Sequence, residues 1–87
     1  MRERLRRART LGGLSQRELA TLAGLSPSHV GLIEQGRVDD LGSGAASSLA
    51  TVLGVSLDWL VRGLGRRPAA ADITAAVAKA RQSREVA

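Results

Sequence analysis

The chain has no cysteine, no phenylalanine and no tyrosine, and only one histidine and one tryptophan. Without thiols there is neither a disulfide framework nor a thiolate metal site, and one histidine cannot by itself assemble a zinc ligand set, so neither metal nor cofactor is expected. Trp59 as the sole aromatic residue removes the stacking platforms on which single-strand and RNA binders rely. A nucleic-acid partner would then be duplex DNA. No apolar run reaches membrane-spanning length, and the arginine-dense start is not followed by an apolar segment of signal-peptide type, so a cytoplasmic protein with no membrane partner is expected. At 87 residues the chain is long enough for one helical core and too short for a catalytic cleft between lobes. Ser28 and His29 are neighbours in sequence, not arranged as nucleophile and base, and no acid is placed to orient the histidine, which argues against an enzyme. There are no internal repeats.

What is present is concentrated between Gln16 and Gln35. Leu19 and Ala23 stand one helical turn apart, Val30 and Ile33 stand three residues apart, and Leu25 falls at the corner between the two runs. Ala20 is small where a larger side chain would force the helices apart, and Gly24 follows the first run where the chain needs positive φ to end a helix. Ser15 and Glu18 have the Ser-x-x-Glu spacing of a capping box, with each side chain satisfying a backbone donor. Ser26 followed by Pro27 marks the start of the next helix, because proline at the first helical position loses no hydrogen bond; Gly36 closes it. Two short helices across a tight turn form a helix-turn-helix pattern.

The predicted helices cover 2–11, 16–23, 27–35, 44–53 and 57–62, giving an all-α bundle of five. Gly12 and Gly13 end the first, Leu49, Val52 and Leu53 give the fourth its apolar face, and Ser56 with Asp58 caps the fifth. Trp59 is expected to pack into the core with Leu60. Residues 65–71 read as a linker between a domain at 1–64 and a C-terminal helix at 72–84. Ile73, Ala76, Val77 and Ala80 form an apolar stripe too narrow to hold an isolated helix in water. It must dock on the bundle or on another subunit; a homodimer contact is favoured, which makes these four residues dimerisation candidates.

The net charge of +5 suits a polyanion, but its distribution is uneven. Residues 1–9 carry a net +4, residues 10–61 a net −3 and residues 62–87 a net +4. The helix-turn-helix itself is not basic. Arg2, Arg4, Arg6 and Arg7 either approach a DNA backbone or form a solvated face.

Three blocks carry a resemblance to a known family: Leu14-Ser15-Gln16-x-Glu18-Leu19-Ala20, Val30-x-x-Ile33-Glu34-x-Gly36-Arg37, and Leu49-Ala50-x-x-Leu53-Gly54-Val55-Ser56-Leu57-Asp58-Trp59-Leu60. From about Leu5 to Gly63 the chain resembles the Xre/Cro and phage-repressor transcription regulators. The resemblance implies a five-helix repressor-like bundle that binds operators, usually as a dimer. It also implies that Gln16 grips a phosphate, that Arg37 occupies a basic position beyond the recognition helix, and that Arg9 and Glu34 form a salt bridge between the first and third helices.

With Val30 and Ile33 facing inward, the step of ~100° per residue points Ser28, Gly31, Leu32 and Gln35 outward. His29 falls on the flank and Glu34 near the buried side. The amino-terminal end of a recognition helix reaches base edges, so Ser26, Pro27, Ser28 and Leu32 are the base-facing candidates, and Gln16, Arg17 and Arg37 the phosphate candidates. Leu32 can touch a thymine methyl but cannot make the paired hydrogen bonds of glutamine or asparagine with adenine. In the family this position is often polar, and Asp39 and Asp40 stand where relatives commonly carry basic residues. The expected function is a dimeric, sequence-specific regulator on a palindromic duplex operator, a repressor or an antitoxin-like autoregulator. The alternative is a module that keeps the bundle and binds a protein partner through Leu32, the acidic loop and the C-terminal stripe.

Overall fold

Leu5 and Ala8, close to one helical turn apart, are both fully buried, and they turn one face of the first helix onto the rest of the chain. A computed structural model describes residues 1–37 and 42–86. It contains α1 (Arg2–Leu11), α2 (Gln16–Leu22), α3 (His29–Glu34), α4 (Gly42–Leu53), α5 (Leu57–Arg62) and α6 (Ala70–Val86), with no strand among the described residues. Asp39 and Asp40 lie outside the described residues. The core joins Leu5 and Ala8 to Leu19 and Ala20 of α2, Val30 and Ile33 of α3, Leu49 and Leu53 of α4, and Trp59 and Leu60 of α5; Leu25 packs against it at the α2–α3 corner. These are the positions that a helical period places on one face of each segment.

Two serine caps set helix starts. Ser15 Oγ accepts from the Glu18 N–H at 2.9 Å and Ser56 Oγ from the Trp59 N–H at 3.0 Å. The reciprocal half of the expected capping box is absent: the Glu18 carboxylate turns away to Arg81 of α6, a charged partner that binds it more strongly than a backbone amide. Gly24 ends the turn after α2 at φ +73°, a left-handed conformation that glycine adopts without steric cost.

α3 starts later than the sequence pattern implies. Pro27 lies in the turn before it, the His29 N–H bonds back to the Ser26 carbonyl at 3.0 Å, and Ser28 rather than Ser26 occupies the cap position without a capping side-chain bond. Proline's fixed φ suits the second position of a tight turn as well as a first helical turn, which is why it does not distinguish the two.

The C-terminal stripe, for which a homodimer contact is expected from the sequence, docks within the chain. α6 packs on α4, α1 and α2; Ile73 is 0% and Val77 1% exposed, and Ala80 lies against the same core. Two glycines make room for it. A Cβ on Gly12 would stand 2.9 Å from Val77 Cγ2 and 3.3 Å from Ile73 Cγ2, and one on Gly54 would run into Ala76. Docking in cis covers the stripe without the entropy cost of bringing two chains together. Ile73 and Val77 are therefore taken up by the core of the monomer, with Ala80 packed against that core and Ala76 half-buried over Gly54.

Candidate nucleic-acid interface

Three helices meet at one carboxylate. Glu34, on the last turn of α3, has a side chain with no exposure, and its oxygens accept from Arg9 Nε at 2.7 Å, Arg9 Nη2 at 3.0 Å, Gln16 Nε2 at 3.1 Å and Arg6 Nε at 3.2 Å. Arg9 also donates to the Leu14 carbonyl at 2.9 Å. Burial alone would push the Glu34 carboxyl up, but the bonds from Arg9, Gln16 and Arg6 outweigh it and hold the group below the usual glutamate range. A buried charge is tolerated when its lone pairs are filled in this way. Arg9 and Arg6 come from α1 and Gln16 from α2, so this hub fixes the orientation of α3 against both.

On the outward side of α3, Ser28, Leu32 and Gln35 are exposed and His29 is partly exposed. Ser26 and Pro27, in the preceding turn, are exposed as well. Leu32 is 37% exposed. Gly31 departs from the outward set: it is buried because Gln16 lies across it, with Gln16 Oε1 3.2 Å from where a Cβ would stand. Helical angle alone cannot register a side chain that folds over from a neighbouring helix.

Gln16 itself is turned inward. Its amide nitrogen donates to Glu34, leaving one amide hydrogen for an outside acceptor. Arg17 and Arg37 are exposed, and neither forms an ion pair among the described residues. The arginines of α1 are largely engaged in holding the bundle. Arg6 belongs to the Glu34 hub, and Arg4 donates to the Leu60 and Val61 carbonyls at 3.1 and 2.9 Å, closing the end of α5. Helix carbonyls left without intrahelical partners are regular targets for arginine, yet nothing in the sequence indicates which arginine reaches which helix end.

A short helix set across a tight turn from its predecessor, anchored from behind and open in front, is the geometry of a DNA-binding helix-turn-helix. The chain matches the model of a helix-turn-helix family over residues 5–60, more than half its length, and belongs to that Cro-type family. It is a helix-turn-helix DNA-binding regulator. No curated protein and no solved structure matches the chain. Among the described residues no helix is long and apolar enough to cross a membrane, and no three potential metal ligands cluster.

Proposed function

We propose that the protein binds duplex DNA sequence-specifically as a homodimer on a palindromic operator, as a repressor or an antitoxin-like autoregulator. The observation that carries this reading is the outer face of α3: Ser28, Leu32 and Gln35 are open to solvent while Glu34 behind them is locked by Arg9 and Gln16. A rigid support with an open face is what base readout in a major groove requires. Ser26, Pro27, Ser28 and Leu32 are the residues assigned to base edges, and Arg17 and Arg37, with the remaining amide hydrogen of Gln16, to phosphates. No side chain in the base-facing set forms a bidentate pair with a base, so part of the selectivity on this reading comes from the shape of the DNA.

One observation favours a second reading. Leu32 is 37% exposed at the centre of α3, where an apolar side chain also suits a protein partner. Selection from a random duplex library decides between the two. An enriched palindrome with half-sites about one DNA turn (~34 Å) apart supports the operator reading; failure to enrich any site favours the partner reading.

A further inference from the structure

The segment that matches the helix-turn-helix family stops at residue 60, and α6 lies wholly beyond it. Yet α6 reaches the first turn of α2. Arg81, on its later half, donates from Nε and Nη2 to the two carboxylate oxygens of Glu18 at 2.8 and 2.9 Å. Glu18 is the acid of that first turn, and its neighbour Arg17 is exposed and in no ion pair among the described residues. Residues one apart on a helix do not face each other, so Arg17 cannot cover Glu18 itself. Residues 10–61 carry a net −3, against +4 for residues 62–87, and the cation that does cover Glu18 comes from the second group.

We infer that Arg81 is a positioning residue for DNA binding: by covering the Glu18 carboxylate it leaves the charge of Arg17 unopposed toward a phosphate. Viewed from a phosphate, Arg17 and Glu18 cancel, and Arg81 restores a net positive charge to the first turn of α2. A helix outside the matched segment thus sets the strength of a contact made inside it. α6 is held on α4, α1 and α2, with Ile73 and Val77 buried, so its later half is kept where Arg81 meets Glu18. The inference rests on the phosphate role of Arg17 proposed above.

The test is an anisotropy titration of the full chain on a labelled mixed-sequence duplex at low salt, since phosphate contacts carry no sequence information, with circular dichroism to confirm that each variant is folded. Arg81→Gln should weaken binding about threefold, the effect of one uncovered charge several ångström from a phosphate in high dielectric, and the loss should fade as salt rises. Arg81→Lys keeps the charge and should bind as the wild type does. The double variant Glu18→Gln/Arg81→Gln decides the matter: it lacks the pair as Arg81→Gln does, but it has no carboxylate to cover, and it should return to wild-type affinity. Glu18→Gln alone should bind at least as tightly as the wild type. If the pair acted only by holding α6 in place, the single glutamine variants and the double would all be equally weak; that result, or wild-type binding by Arg81→Gln, overturns the inference. A double variant whose logarithmic salt slope is shallower by roughly one unit would make Arg81 itself a phosphate contact and overturn it as well. If Arg17→Ala leaves the salt slope of the wild type unchanged, the phosphate reading fails separately, and this inference with it.

Discussion

Arg81 grips Glu18 through two hydrogen bonds of 2.8 and 2.9 Å, across 63 residues of sequence. The bonds from Arg81 hold the Glu18 carboxyl below its usual range, and Glu18 in turn raises Arg81. The pair fastens the later half of α6 to the first turn of α2, the turn that also presents Arg17. Both side chains are partly exposed, at 43% and 39%, so water and salt weaken the attraction.

Arg81→Gln should therefore act locally. Amide exchange should quicken in the last turns of α6, while the stretch around Ile73 and Val77, whose side chains are buried, keeps its protection. Glu18→Gln should give the same pattern, and the double variant should add nothing further. Uniform loosening of the whole helix would instead make the pair essential to docking.

Glu34 is a different case, because its charge is enclosed. Glu34→Ala leaves Arg9, whose side chain is 16% exposed, without its counter-charge and should destabilise the bundle by about 3–5 kcal/mol in urea unfolding near neutral pH. A lowered folded-state pKa means the stabilisation is complete above the unfolded glutamate value of ~4.3 and is lost as pH falls through the folded value. Stability of the wild type should drop across that acid range, and Glu34→Gln should flatten the drop. Equal acid sensitivity in the two proteins would assign it to other carboxylates.

Docking of α6 against Gly12 can be read from one substitution. Gly12 has an ordinary right-handed conformation, φ −80°, so alanine there carries no backbone strain. Gly12→Ala should nevertheless cost about 1–3 kcal/mol through overpacking against Val77. In a Val77→Ala background the cost should shrink by at least ~0.5 kcal/mol, the coupling expected of residues in contact. Ile73→Ala should cost about 2–5 kcal/mol and leave the oligomeric state unchanged, since its side chain fills the monomer core.

Phosphate contacts leave their mark in salt dependence. Arg17→Ala or Arg37→Ala should each reduce the logarithmic salt slope of DNA binding by roughly one unit, the effect of one lost phosphate contact. Arg4→Gln should leave that slope unchanged and show itself in stability, because Arg4 is bonded to α5.

Leu32→Gln should alter base preference more than general affinity. A hydrogen bond gained to one base changes discrimination at that position by roughly 1–3 kcal/mol, measurable on single-base operator variants. An equal loss on every variant would mean that Leu32 supports folding or shape.

Features that depend on neighbours in sequence were legible in it. The spans of α1 and α5 coincide with the predicted 2–11 and 57–62, because glycines and a serine cap mark their ends. The buried set of the α2–α3 corner follows from helical period. What could not be read are choices between distant partners. The stripe on α6 was evident, but its seat is formed by Gly12 and Gly54, residues that from sequence alone mark only helix ends. Glu18 has the spacing of a capping box, and it turns instead to an arginine from the far end of the chain. Arg9 and Glu34 were paired by family resemblance; that Gln16 joins them and folds over Gly31 depends on a side-chain direction no periodicity contains.

Of the five arginines in the first nine residues, Arg4, Arg6 and Arg9 hold protein acceptors, so the basic start of the chain acts largely as internal fastening. Counter-ions reach the two kinds of arginine unequally. They crowd around Arg17 and Arg37 in solvent but are largely excluded from the enclosed pair of Arg9 and Glu34. With Arg17 and Arg37 on phosphates, as proposed above, a rise in salt frees bound DNA while α3 stays seated, and the protein leaves its site folded and ready to rebind when the salt falls.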